Sequence, residues 1–210
     1  MLLLAFFIHL SSFWLSVLYL YKYDKVFVNE SIENWNKYKK AIKYSLFNQF
    51  CITLPILYLF KDNLLNAIQE YNPLYNIYST VIIVLTAGLL FYVFHLLLHT
   101  SYFYKRIHKI HHEFIIPVSP SSLYAHPIEH ILCNNLSFLV PYMIFGTTYT
   151  MTIVLIIIAS IMVTTSHVNH KFKFFSTAHL VHHQKYKYNY GFGEIYDIIF
   201  KTNYLDDNKS

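Results

Sequence analysis

The histidines are the residues of this chain whose type and spacing carry chemistry. There are 13 of them, and eight fall into three short groups. His95 and His99 are four apart, His108, His111 and His112 are spaced i, i+3, i+4, and His179, His182 and His183 repeat that triplet. Neutral imidazole is a nitrogen ligand suited to iron, zinc or copper. On a helix, i, i+3 and i+4 side chains lie on one face, so each triplet is expected to aim three imidazoles at a common centre. One such group alone would read as a wetted helix end, but a repeated triplet makes metal ligation the expectation. Eight nitrogens exceed the needs of one ion, so a dinuclear site is the natural inference.

Further ligands are sought among His126, His130, His167 and His170. His126 precedes a proline, which suits a helix start, and His167 follows a long apolar run; both are expected to ligate. His130 and His170 are candidates for a further ligand or an outer support. Glu113, Glu129, Glu194 and Asp197 are the nearby acids that could accept an imidazole N–H, the alternative being ordinary surface charge. His9 stands alone in an apolar stretch and reads as a packed residue. No acid or base beyond the metal ligands is assigned a catalytic role.

Other chemistries fail on the residues. The one His-Glu pair, His112-Glu113, is followed by Phe-Ile-Ile-Pro, so the H-E-x-x-H pattern of zinc proteases is absent. Haem held by two histidines between spans would not require clustered triplets. Four glycines and no G-x-G-x-x-G or G-x-x-x-x-G-K-[ST] pattern argue against phosphate loops.

The elements that must position these histidines are membrane helices. Hydrophobic residues make up 55% of the chain and charged residues 13%, too few charges to coat a soluble globule of this size. Residues 1–21, 44–60, 71–104 and 130–170 contain no Asp, Glu, Lys or Arg. The second run, about 26 Å long as a helix, is slightly short for a hydrocarbon core of about 30 Å, so it spans with snorkelling flanks or dips in partway. The last would be about 60 Å long if straight and must fold back, with Pro141 and Gly146-Thr147-Thr148 marking the bend between roughly 131–145 and 149–165. The first run, without a basic start, reads as an uncleaved anchor. The expected fold is an all-α integral membrane domain over residues 1–210, with about four embedded segments, the last a hairpin, and a His-rich helical cap.

Fifteen of the 16 Lys and Arg residues fall in residues 22–43, 105–109 and 171–209, on one side of those spans. The positive-inside rule places that side, including 105–130 and 166–210, in the cytosol and the N-terminus in the lumen. The net charge of +5 is therefore read as a membrane-orientation signal, and no nucleic-acid partner is expected. Cys51 and Cys133 both lie in apolar segments, which excludes a disulfide scaffold.

The order H-x3-H, H-x2-H-H and, after an apolar hairpin, H-x2-H-H resembles the fatty acid hydroxylase/sterol desaturase superfamily of membrane di-iron oxygenases, over about residues 91–204. Tyr104–Phe114, YKRIHKIHHEF, followed by YAHPIE at 124–129, is most similar to its 4-methylsterol monooxygenase branch. Asn189-Tyr190-Gly191 and the ending Asp197, Phe200, Lys201, Thr202 are similar to the family's N-Y-G and W-D-x-x-F-G-T tail, with Tyr196 in place of tryptophan and Lys201 in place of glycine. His130 stands where the sterol branch commonly has a hydroxyl residue. The resemblance implies two Fe ions, zinc being a possible substitute, and O2-dependent oxidation of an unactivated C–H bond in a membrane lipid. It also implies electrons from NAD(P)H through cytochrome b5 and its reductase or a similar donor, and residence in the endoplasmic reticulum. The expected reaction is oxidation of a sterol C4-methyl. Hydroxylation or desaturation of an acyl chain, sphingoid base or aldehyde is the alternative, and a non-catalytic membrane metal-binding protein is a reading from another class.

Overall fold

A computed structural model of the chain describes residues 1–169 and 177–205. The helices are α1 (Leu2–Glu30), α2 (Ile32–Phe47), α3 (Leu54–Leu59), α4 (Lys61–Asn66), α5 (Pro73–Leu98), α6 (Ser101–Arg106), α7 (Pro127–Glu129), α8 (Ser137–Phe145), α9 (Tyr149–Thr165), α10 (Thr177–Lys185) and α11 (Ile195–Ile199). Two π-helical stretches, Asn48–Thr53 and His130–Leu136, make α2–α3 and α7–α8 nearly continuous, and 3-10 turns form His108–Glu113 and Ser119–Leu123. There is no strand among the described residues, and three helices, Leu2–Glu30, Pro73–Leu98 and Pro127–Phe145, are long and apolar enough to cross a membrane. The chain is an integral membrane protein by that measure. The fourth apolar run forms a hairpin of Pro127–Phe145 and the shorter α9, as its length requires.

Local chemistry sets the helix ends. The Ser31 hydroxyl accepts the Asn34 N–H and starts α2, and the Asn72 side chain accepts the Tyr75 N–H and starts α5 with Pro73 in its first turn. The hairpin turns at Gly146, where φ is +60° and a Cβ would stand 2.2 Å from the Ala67 carbonyl oxygen. Pro141 does not mark the bend, because it lies buried inside α8. A proline removes one ladder bond and tilts a helix without necessarily ending it.

α1 packs in parallel along α9, and α5 packs along α8. In lipid this packing gains from hydroxyl pairs, such as Ser16 to Thr164 at 2.6 Å, each worth about 1 kcal/mol. α1, α5 and α9 run toward the histidines, while α2–α3 and Pro127–Phe145 run away. At the far end, the Gln69 N–H donates to the Thr147 carbonyl and the Tyr75 hydroxyl to that of Phe145. Both loops at that end therefore meet on the side opposite the His-rich cap.

Candidate metal centre

Nine histidines converge in two groups. His95, His99, His108, His112 and His182 form one, and His111, His167, His179 and His183 form the other; in each, the ligand nitrogens all lie within 4.8 Å of one another. His95 and His99 close α5, His167 follows α9, and α10 carries the second triplet.

Neither triplet serves a common centre. His108 and His112 belong to the five-histidine cluster and His111 to the four-histidine cluster, whereas His179 and His183 join the four and His182 crosses to the five. In each triplet the middle histidine leaves the other two. In α10, at 3.6 residues per turn, the i+3 side chain lags by about 60° and the i+4 side chain leads by about 40°, so this triplet fans wide enough to serve two adjacent centres. The first triplet also lies on a 3-10 turn where an α-helix was expected.

The outer ring nitrogens are anchored, mostly by backbone carbonyls. Nδ1 of His95 lies 2.7 Å from the Tyr190 oxygen, that of His182 2.6 Å from Tyr188, that of His111 3.1 Å from Tyr124, that of His183 2.9 Å from Phe114 and that of His167 3.0 Å from Val163. A carbonyl only accepts, so each of these Nδ1 atoms carries the hydrogen and leaves Nε2 bare. Yet these bare Nε2 atoms are crowded by other ring nitrogens: that of His111 faces that of His167 at 3.2 Å, and those of His182 and His167 face Nε2 of His99 and His179 at 3.1 and 3.0 Å. Opposed lone pairs at this distance repel unless a cation sits among them.

A proton is a poor candidate for that cation. Burial, joined by neighbouring imidazoles, holds His108, His167, His179, His182 and His183 well below the usual imidazole range; burial pushes His111 down to about 4 and His99 to about 2. Neutral nitrogens gathered in this way could hold a metal ion, and their all-imidazole composition fits a transition ion such as iron or zinc. The residues present thus fit the implied pair of ions, with five and four histidines respectively.

The other expected residues divide. Glu129 is buried and its Oε1 lies 2.9 Å from Nδ1 of His108. Asp197, fully buried, works one step further out: it accepts the N–H of Tyr190 at 2.7 Å, and the Tyr190 carbonyl in turn holds His95. Glu113 holds Lys40 at 2.8 Å and the Tyr124 hydroxyl at 2.7 Å, with no imidazole among these partners. Glu194 is exposed at the start of α11.

His126 is not brought to either cluster. Pro127 opens α7, and the His126 Nδ1 turns back to accept the Ile128 N–H at 3.2 Å as a helix cap. His130 places Nε2 2.8 Å from the Thr53 hydroxyl. His170 lies outside the described residues. His9 packs between Ser160 and Gln49, at 2.9 and 3.3 Å.

The sequence reading missed the carbonyl anchors at Phe114, Tyr124, Tyr188 and Tyr190, which carry no side-chain signature. The Asn189-Tyr190-Gly191 motif was the available signal. Asn189 holds a left-handed φ of 58°, and a Cβ on Gly191 would stand 2.6 Å from the Gly193 carbonyl oxygen and 2.7 Å from Asp197 Oδ2.

Membrane helices capped by two converging imidazole clusters define a histidine-box membrane protein. Residues 80–202 match the sequence model of the fatty acid hydroxylase family, and the chain belongs to that family. It is similar to fatty acid hydroxylase domain-containing protein 2 of Homo sapiens, 34% identical over 79% of this chain and 52% of the relative. It is similar also to fatty acid hydroxylase ahd1 of Mycosarcoma maydis, 31% identical over 80% and 46%, and to methylsterol monooxygenase 1 of Gallus gallus, 34% identical over 48% and 36%. The chain spans about half the length of the first of these relatives, or less. No solved structure matches it significantly.

Proposed function

We propose that the chain is an O2-dependent lipid hydroxylase working with two iron ions, and that its substrate is a sterol bearing a C4-methyl group. The observation that carries this reading is the pair of buried all-imidazole clusters, their Nε2 atoms opposed, at the ends of membrane helices. Two iron ions would supply O2 reduction and insertion of one oxygen into a C–H bond, the other leaving as water with two electrons and two protons taken up. Zinc would occupy the same nitrogens without redox chemistry.

The protein's own part is position and exclusion of water. The carbonyls of Tyr124, Phe114, Tyr188 and Tyr190 fix which nitrogen of each of their rings faces inward, and Glu129 stands 2.9 Å from Nδ1 of His108. A lipid entering from the bilayer brings its reactive carbon to the cap without crossing water. The lysine and arginine distribution supports a cytosolic cap, and the sterol similarity supports the endoplasmic reticulum, where NAD(P)H, a reductase and cytochrome b5 would deliver electrons.

The sterol reading rests on the similarity to methylsterol monooxygenase 1, together with the YAHPIE wording at 124–129. A second reading, oxidation of an acyl chain, is favoured by the wider match to fatty acid hydroxylase ahd1, 80% of the chain against 48%. Coexpression with a cytochrome b5 and its reductase, followed by mass spectrometry of total lipids, tests both. A 4-methylsterol gaining one oxygen supports the first reading; oxidised acyl lipids alone replace it with the second. No oxidised or desaturated lipid, with iron bound, would leave a metal-binding protein without this activity.

A further inference from the structure

We propose that α11 is a membrane-embedded clamp: it re-enters the leaflet on the metal side, lies among acyl chains against α5, and holds His95 in place through Asp197. Its place beside α5 follows from four contacts. The Tyr196 hydroxyl donates to the Leu85 carbonyl, and the Tyr196 ring lies where a Cβ on Gly88 would be 3.0 Å from Cε2. Tyr92 stacks on Phe200 with ring centroids 5.0 Å apart, and Phe192 packs on Phe91 at 5.8 Å. Leu85 and Tyr92 precede Leu98, the last residue of α5, by 13 and six positions. At 1.5 Å per residue that is about 20 and 9 Å back along the helix. The chain after α10 thus returns beside a transmembrane segment at hydrocarbon depth.

The outward face of α11 agrees with that depth. Ile195, Ile198 and Ile199, spaced i, i+3, i+4, are 57%, 58% and 60% exposed, and Phe200 beyond them is 52% exposed. Glu194 and Lys201 stand only at the ends. On α5 the exposed side chains around this level are Val84, Leu85, Val93, Leu96 and Leu97, so the apolar face of α11 continues the surface α5 offers to lipid. Acyl chains are the occupant that this continuity selects.

The inner face of the same helix reaches the metal centre. Asp197 accepts the N–H groups of Tyr190 and Gly191 at 2.7 and 2.8 Å and the Thr202 hydroxyl at 2.7 Å, and the Tyr190 carbonyl accepts Nδ1 of His95 at 2.7 Å. Seating α11 in lipid therefore holds one ring of the five-histidine cluster. This coupling rests on the metal reading; the depth of α11 does not.

The test is a spin label at Ile198→Cys in a Cys51→Ser, Cys133→Ala background, reconstituted in phosphatidylcholine vesicles. Collision with dissolved O2 should exceed collision with a water-soluble nickel chelate, as at Val84→Cys, with the reverse at Gln184→Cys. Nickel access at 198 equal to that at 184 would overturn the embedding, as would spin–spin broadening at 198 that vanishes on dilution with unlabelled chain, the mark of a second copy on this face. Metal content then reads the coupling. Ile198→Glu should fall from two ions toward one while Ile198→Leu keeps both. Both ions retained in Ile198→Glu, with the label still lipid-facing, would overturn the clamp. A parent protein without metal would defeat the metal reading and leave the depth result standing.

Discussion

The five-histidine and four-histidine clusters are built from the same two triplets yet supported differently. The first draws on the end of α5, the 3-10 turn and α10, has Glu129 beside His108, and is bordered by tyrosines: Tyr104 5.6 Å from His99, Tyr190 5.0 Å from His99 and Tyr186 4.8 Å from His112, between ring centroids. The second has one fewer imidazole, and among the described residues the outer nitrogens of His111, His167 and His183 meet carbonyls and the Ser166 hydroxyl. Among the described residues, His167 Nδ1 is anchored within its own helix end, by Val163 and Ser166. The difference teaches that a histidine box is not a site. Each triplet gives two rings to one cluster and one to the other, so the clusters are interlocked through the boxes and separable only by residue.

The largest expected effect breaks the comparison most directly. His182→Ala and His183→Ala are neighbours in sequence but belong to different clusters, and His108→Ala and His111→Ala are the corresponding pair in the first triplet. All four should abolish turnover. Metal analysis should find one ion left in each, and iron spectroscopy should find a different survivor within each pair. Loss of both ions in every variant would show one cooperative unit; full activity with metal bound as in the parent would remove the triplets from the ligand set.

Acid provides the next test. His111 at about 4 and His99 at about 2 in the folded chain compare with 6.5 for a free imidazole. Depressed folded values mean that the unfolded chain takes up protons first. Stability present above pH 6.5 is then lost progressively as the pH falls toward the folded values, by about 3 kcal/mol for His111 alone. The metal-free protein should melt at markedly lower temperature near pH 5 than near pH 7, while bound metal should resist the change until protons compete for the ligands. Equal melting of the metal-free protein at both would mean the rings are not held neutral. Under a chelator, the four-histidine cluster should empty first.

Glu129→Gln sharpens the comparison within one side. It replaces the carboxyl oxygen beside His108 with an amide while keeping the shape, and should weaken metal binding in the five-histidine cluster about 10–100-fold, leaving the other near its original affinity. Equal weakening of both would place Glu129 in a shared support. His126→Ala should do less, costing only the cap on Ile128, about 1 kcal/mol of stability, with both metals retained. Loss of a metal in His126→Ala would restore it to the ligand set.

The membrane fold was legible because charge-free runs are long and a bilayer has a fixed thickness. The hairpin followed from length alone, although its turn lies at Gly146 and not at Pro141. The triplets identified eight of the nine clustered rings, and His167 was found from its place after the last span. Their division between two centres was not legible, since spacing gives angles around one helix but not where the facing helix lies. The proline after His126 correctly suggested a helix start, but spacing alone could not show that the ring would serve as that helix's cap and stand apart from the clusters. The carbonyl anchors were invisible because every residue has one.

The smallest effect concerns the tail that steadies the five-histidine cluster. Lys201 holds a φ of 57°, in the left-handed region where a Cβ crowds the backbone, and it stands at the position the family's tail usually gives to glycine. Its side chain is exposed, and its N–H still reaches the Ile198 carbonyl at 3.3 Å. Lys201→Gly should relieve the crowding and stabilise the protein by about 1 kcal/mol, less the greater freedom of glycine in the unfolded chain, with turnover unchanged. A melt of the two proteins in the same lipid measures it. The sign matters more than the size. Destabilisation would show that the ammonium group at the end of α11 contributes more than the strain costs, as a lysine reaching for the headgroups does. In that case Lys201→Arg should keep the stability that glycine loses, and the tail would be held by its place in the membrane as well as by Asp197.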